Sequence, residues 1–278
     1  MKNLLTPLIY RGLFGQGLSV EEVYLWQYKT TWGITKIKKG LDNLVKQGKI
    51  VHRGDYYFIN NKIADVNKQV GFRFSAGRKL TLAYQAAKKL NINRNIVFIG
   101  VSGSVAAGFA LPSDDIDLVF VTLSHTLWVA RLLFYWQNPH LPKRQPGQTH
   151  QVKNLFCLNL WLENDQIRMP ANIFFAHEIL NMVPIWDPYD FYRVWLKEND
   201  WIKDMFPVLY KVKSGSNQRS KPLPTRGWLE YVINPLAYGL QRLYMWPKKT
   251  NEKISYHQAF FHTHDYKKVI LKQLRLEV

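Results

Sequence analysis

The residues best suited to chemistry lie in one stretch: Gly103-Ser104, ten further residues, then Asp115-Ile116-Asp117. Apolar runs at 96–100 and 116–122 flank it, and both read as strands. On a strand Asp115 and Asp117 point to the same face, because side chains alternate with a period of two. Two anions so placed raise each other's pKa unless a cation lies between them. A hard divalent ion, Mg2+ or Mn2+, suits carboxylate oxygens combined with substrate phosphates. Gly103 permits close backbone approach, and Ser104 opens a predicted helix over 104–110 whose first amides and hydroxyl make a phosphate seat. A nucleoside triphosphate, ATP being the expected one, fits between seat and carboxylates with its α-phosphorus open to in-line attack.

This pattern resembles the signature of the DNA polymerase β-like nucleotidyltransferase superfamily, a Gly-Ser turn followed by two alternating carboxylates. The run Ser102-Gly103-Ser104-Val105-Ala106-Ala107-Gly108 with Ser113-Asp114-Asp115-Ile116-Asp117 is similar in particular to its small bacterial and archaeal members. The resemblance spans residues 95–175. It implies transfer of a nucleoside monophosphate to an acceptor hydroxyl on RNA or protein, with Gly103 and Ser104 on the triphosphate and Asp115 and Asp117 on the metals. The family pattern also has a third carboxylate on a later strand. The matching strand here is predicted at 155–162, and Asn159 stands where that acid is sought. An amide cannot act as a base, which leaves three alternatives: Glu163 or Asp165 substitutes, two carboxylates suffice, or activity has been lost. Arg131, on a predicted helix over 127–137, is a candidate phosphate contact. Arg78 and Lys79 are weaker ones, since basic residues on an amphipathic helix usually face water.

The elements that must position these groups suggest an α+β chain in three parts. Residues 1–65 read as three helices and a hairpin, the order of a winged-helix-like module. Ser19 and Glu22 form a capping box, Ile34, Ile37, Leu41, Leu44 and Val45 share one stripe, Gly48 ends the third helix and Gly54-Asp55 makes a two-residue turn. In winged helices the third helix commonly reads DNA, so Lys36, Lys38 and Lys39 are the candidate nucleic-acid contacts. Residues 66–180 form the nucleotidyltransferase part, a small mixed sheet with helices, entered by one or two connecting helices at 62–90 and including a strand-like run around Ile173. Residues 181–278 read as a helical region, with helices over 189–210 and 228–246 and a last one over 255–274. The aromatics Trp186, Tyr189, Phe191, Tyr192, Trp195 and Trp201 read as helical core rather than as a stacking platform. His257, His262, His264 and Asp265 match no standard ligand spacing.

Composition narrows the partners. The formal charge is +18, with 10 basic against 5 acidic residues in 1–65, 12 against 6 in 66–180 and 16 against 9 in 181–278. An excess spread this evenly attracts polyanions, and RNA or DNA is the usual one. The most apolar segment, 96–111, falls short of the ~20 residues a membrane span requires, so no membrane partner is expected. No secretory leader is expected from Met1-Lys2-Asn3, and the single Cys157 rules out an intrachain disulfide, which suits the cytoplasm. Two rival functions share these features: a catalytically silent, nucleotide-sensing DNA-binding regulator, and an adenylyltransferase for small molecules.

Overall fold

A computed structural model describes residues 2–145, 148, 150–215, 221–225, 227–245 and 253–260. The chain opens with α1 (Lys2–Gly12), α2 (Val20–Leu25), α3 (Ile34–Lys46) and the antiparallel hairpin β1 (Val51–Arg53) and β2 (Tyr56–Phe58). Ser19 Oγ accepts from the Glu22 amide at 3.3 Å while the Ser19 amide donates to Glu22 Oε2 at 2.9 Å, so the cap at α2 is reciprocal. Ile37, Leu41 and Leu44 bury one stripe of α3 in a small core with Leu4, Leu8, Val23 and Tyr57, whereas Ile34 is exposed. Gly48 takes φ +68° just past α3, the left-handed conformation that closes a helix at little cost for glycine. Lys36, Lys38 and Lys39 all lie on the exposed side.

One helix, α4 (Val66–Ala87), leads into a six-stranded mixed sheet. Its strands are β3 (Ile96–Val101), β4 (Ile116–Thr122), β5 (Phe156–Glu163), β6 (Val183–Trp186), β7 (Lys253–Ile254) and β8 (Gln258–Phe260), in the spatial order β6-β3-β4-β5-β8-β7. Only β4 and β5 run parallel. A parallel pair needs a crossover, here α6 (Leu127–Gln137) and the loop carrying Arg144.

Helices cover both faces. Val97, Phe98, Val119, Val121 and Leu162 face a layer made by α7 (Ile173–Asn181), α8 (Phe191–Glu198), α9 (Ile202–Met205) and α10 (Pro207–Ser214). Ile99, Val101, Leu118, Phe120 and Trp161 face α4, α6 and α11 (Trp228–Met245). The near-continuous apolar reading of β3 and β4 follows from this, because a strand buried on both sides has no polar face to show.

Several elements differ from the sequence reading. The run around Ile173 is helical, not a strand: Asn172 caps it by accepting from the Phe175 amide at 3.0 Å, and Ala176, Ile179 and Leu180 recur at helical spacing into the core. The helix predicted over 104–110 is a single turn, α5 (Gly103–Ala106), because Gly108 at φ +80° turns the chain away. The helix expected from residue 255 is replaced over 253–260 by strands β7 and β8, and its remainder lies outside the described residues. The region after residue 180 therefore supplies three strands to the sheet as well as helices. The helix expected over 189–210 is three short ones, broken at Asn199 and Phe206.

The first sixty residues also pack on the sheet domain. His177 is buried and stacked between Tyr10, at 3.5 Å between ring centroids, and Trp26, at 4.3 Å. Arg11 donates to the Ala107 carbonyl at 2.9 Å. No helix among the described residues is long and apolar enough to cross a membrane.

Asn234 of α11 holds the start of α6. Fully buried, its Oδ1 accepts from the Trp128 amide at 2.8 Å and the Val129 amide at 3.1 Å. Asn234→Ala strands both amides, and we expect a loss of about 2 kcal/mol of stability, read as a lowered Tm by calorimetry.

Candidate active site

Lys79 shapes the approach to the site. Contrary to the expectation that it faces water, it is buried, and its Nζ donates to the carbonyls of Pro112 at 3.2 Å and Asp114 at 2.7 Å and to Asn154 Oδ1 at 2.9 Å. Three converging oxygens replace its hydration. Asp114 is structural too, because one of its oxygens accepts from Ser104 Oγ at 3.0 Å and from the Leu111 amide at 2.9 Å. The loop between the glycine turn and the acidic strand is thereby closed on itself. Ser104 spends its hydroxyl on this closure, so its part in any phosphate seat falls to its backbone.

Gly103 has φ +64°, and a Cβ there would lie 2.5 Å from Asp117 Oδ2. Only glycine lets the turn lie directly against that carboxylate. Asp117 lies on the face of β4 that carries Val119 and Val121, toward α7, and Asp115 stands just before the strand with its carboxylate within 4.8 Å of that of Asp117. The Asp115, Asp117 and Cys157 ligand atoms all lie within 4.8 Å of one another. Burial, together with the charges of Asp117 and Asp115, holds the Cys157 thiol well above its ordinary pKa and therefore neutral. The donor set a cation meets is thus two carboxylates, which fits a hard divalent ion better than a soft one.

Asn159 reaches the site through an irregularity in β5. Asp117 pairs with Cys157 and Val119 with Leu160, so β5 holds one extra residue between the two pairs. Such a bulge re-aims side chains. Asn159, 2% exposed, donates from Nδ2 to Asp117 Oδ1 at 2.6 Å. The position expected to face the acidic pair does face it.

Two groups at the site were not anticipated. Arg144, from the loop before β5, donates from Nη1 to Asp115 Oδ2 at 2.7 Å, while its own Nε donates to the Gln148 carbonyl at 2.8 Å. Glu178, half-buried on α7, has no side-chain hydrogen bond or ion pair among the described residues, and its pKa is pushed up to about 7 by burial. Its charge is felt at Asp117, whose own pKa is pushed up to about 7 by burial first, then by Asp115, then by Glu178. Glu178 was one of six acidic residues in 66–180. Only the packing of α7 marks it out.

Other expected contacts lie elsewhere. Glu163 is fully buried at the far end of β5, bound to His257, and so does not substitute for the third acid. Asp165 follows it into the same turn. Arg131 hydrogen-bonds Gln241 of α11 and lies over the Tyr135 ring at 4.9 Å, occupied by helix packing rather than by the site. His262, His264 and Asp265 fall outside the described residues. Comparison with protein-family models, with curated proteins and with solved structures returns no match to this chain.

The raised carboxyl at Asp117 has a stability consequence. A carboxyl near 4 when unfolded and near 7 when folded takes up a proton on folding between those values, so stability falls as pH rises through that window. Asp117→Asn removes this dependence. We expect the metal-free variant to gain Tm over the parent at pH 8 and little at pH 4, by scanning calorimetry at both.

Proposed function

We propose that the chain is a nucleotidyltransferase of the DNA polymerase β-like type, with a winged-helix-like module at its N-terminus. It moves a nucleoside monophosphate, from ATP in the first instance, to a hydroxyl on RNA or protein. The observation that carries this reading is the Gly103 turn lying against Asp117, which brings free backbone and paired carboxylates to one spot. Asp115 and Asp117 would hold Mg2+ (or Mn2+), which when bound supplies charge neutralisation for the phosphates. The acceptor oxygen bonds the α-phosphorus as the bond to the pyrophosphate oxygen breaks. Glu178 takes the hydroxyl proton: it has no side-chain hydrogen bond or ion pair among the described residues, and its pKa of about 7 suits a general base at neutral pH. Arg144 turns from Asp115 to a phosphate when the triphosphate enters. Asn159 holds the rotamer of Asp117.

A second reading, the silent nucleotide-sensing regulator, draws on the Arg144–Asp115 pair, which gives Asp115 a cation without any metal. Incubation with labelled nucleoside triphosphates, Mg2+ and total RNA or protein separates the two. Label transferred to an acceptor supports the enzyme, and bound nucleotide with no transfer under any acceptor supports the regulator.

For the enzyme, Asp115→Asn and Asp117→Asn each abolish Mg2+-dependent transfer. Glu178→Gln lowers kcat by about 10²–10⁴-fold, the usual contribution of a general base, while Glu163→Gln spares it. Kinetics of the four variants on one acceptor check this.

Lys36, Lys38 and Lys39 stand exposed on α3, with Lys36 Nζ over the Trp32 ring at 4.3 Å and Lys38 3.8 Å from Asp42. If α3 meets nucleic acid, replacing the three with Gln reduces the slope of log affinity against log salt by about 2–3 for DNA, and leaves nucleotide affinity unchanged. Fluorescence anisotropy across a salt series measures it.

A further inference from the structure

At the opposite end of β4 and β5 from the acidic pair, roughly 15–20 Å away at strand rise, a second polar cluster is built from three separate elements. His125 comes from the turn between β4 and α6, Glu163 from the last position of β5, and His257 from the turn joining β7 to β8. One ligand atom of each lies within 4.8 Å of the others. Glu163 is fully buried, and among the described residues no Lys or Arg meets its charge. Its Oε2 is 2.6 Å from His257 Nδ1, while its Oε1 accepts only a long 3.4 Å hydrogen bond from the Leu127 amide. A buried carboxylate requires a partner of opposite charge or a metal.

The surroundings fit a ligand set better than a simple ion pair. His125 adopts φ +60°, and its ring meets that of His257 edge-on at 5.2 Å. Tyr231 and Tyr256 stand beside His125 at 5.7 Å and 6.3 Å. A cavity of about 350 Å³ opens next to it, lined by Leu123, Ser124, His125, Asn164, Leu223 and Pro224. Two imidazoles and one carboxylate beside an open space are the donor set of a zinc-type ion that keeps a position for water or another ligand. The nitrogen donors exclude the Mg2+ preference of the acidic pair.

We propose that His125, Glu163 and His257 bind a divalent transition ion of the zinc class, with an exchangeable ligand on the cavity side. On binding, the ion takes the place of the hydrogen bond between His257 Nδ1 and Glu163 Oε2. The ion ties the β7–β8 hairpin to the sheet and to the start of α6. This site is independent of the proposed transferase reaction.

The test loads the full chain with Zn2+, removes excess by gel filtration and measures bound metal, with Co2+ in parallel. We expect a zinc ion retained by the parent and by an Asp115→Asn, Asp117→Asn double variant, intense visible bands of tetrahedral cobalt, and a Tm several degrees higher with zinc. His125→Ala and His257→Ala should each weaken zinc binding by at least ~10-fold, the scale on which even outer-shell partners alter metal affinity. X-ray absorption on the zinc-loaded parent should show two imidazoles, and this measurement decides the matter if the histidine variants misfold. Folded parent that retains no zinc, zinc lost with the acidic pair but kept in both histidine variants, or a zinc spectrum without imidazole overturns the proposal.

Discussion

Burial, Asp115 beside it and the charge of Glu178 all raise the pKa of Asp117, to about 7, and so oppose its ionised form. Charges of one sign gathered at the end of an otherwise apolar sheet must be answered locally, because the low-dielectric core screens them poorly. Each neighbour provides part of the answer. Asn159 donates to Asp117, Arg144 pairs with Asp115, and the backbone at Gly103 lies against the Asp117 carboxylate with no Cβ between. The repulsion that remains is the electrostatic cost of the acidic pair, and it shows as the raised pKa of Asp117.

That arrangement depends on a rigid frame. Lys79, Asp114, Ser104 and Asn154 lock the loop between the turn and β4 through hydrogen bonds of 2.7–3.0 Å, so the two halves of the site cannot drift apart. Arg11 extends the lock to the N-terminal helices by bonding the carbonyl of Ala107, just beyond the glycine turn. The acidic pair and the N-terminal helices are thereby joined through packed side chains, among them the Tyr10–His177–Trp26 stack.

Because β4 and β5 run parallel, their ends of like kind lie together, and the strands carry a different donor set at each end. Carboxylates cluster where the strands begin, imidazoles and a buried glutamate where they finish. The length of strand between them is what weakens the interaction of one cluster with the other.

Local chemistry was legible in the sequence wherever it depended on near neighbours along the chain. Strand β4 and helix α6 begin and end where their patterns indicated, the Ser19–Glu22 box caps α2, and the spacing of Asp115 and Asp117 alone brought their carboxylates together. The direction of Asn159 was also anticipated, although the bulge that delivers it was not, since nothing in an apolar strand marks which residue is extra. Helix α7 was misread because a short apolar run suits either period. The outer strands β6, β8 and β7, at four, three and two residues, are too short to show any period, and pairing with a neighbouring strand is what makes them strands. Arg144 and Glu178 reach the acidic pair from 29 and 61 positions along the chain, Glu163 is carried away from it, and His125 meets His257 across more than a hundred residues. The sequence by itself determined which residues carry charge and which strand presents the acidic pair. Only the tertiary structure decided which charges meet, because that is set by the order of strands and the crossing of helices over them.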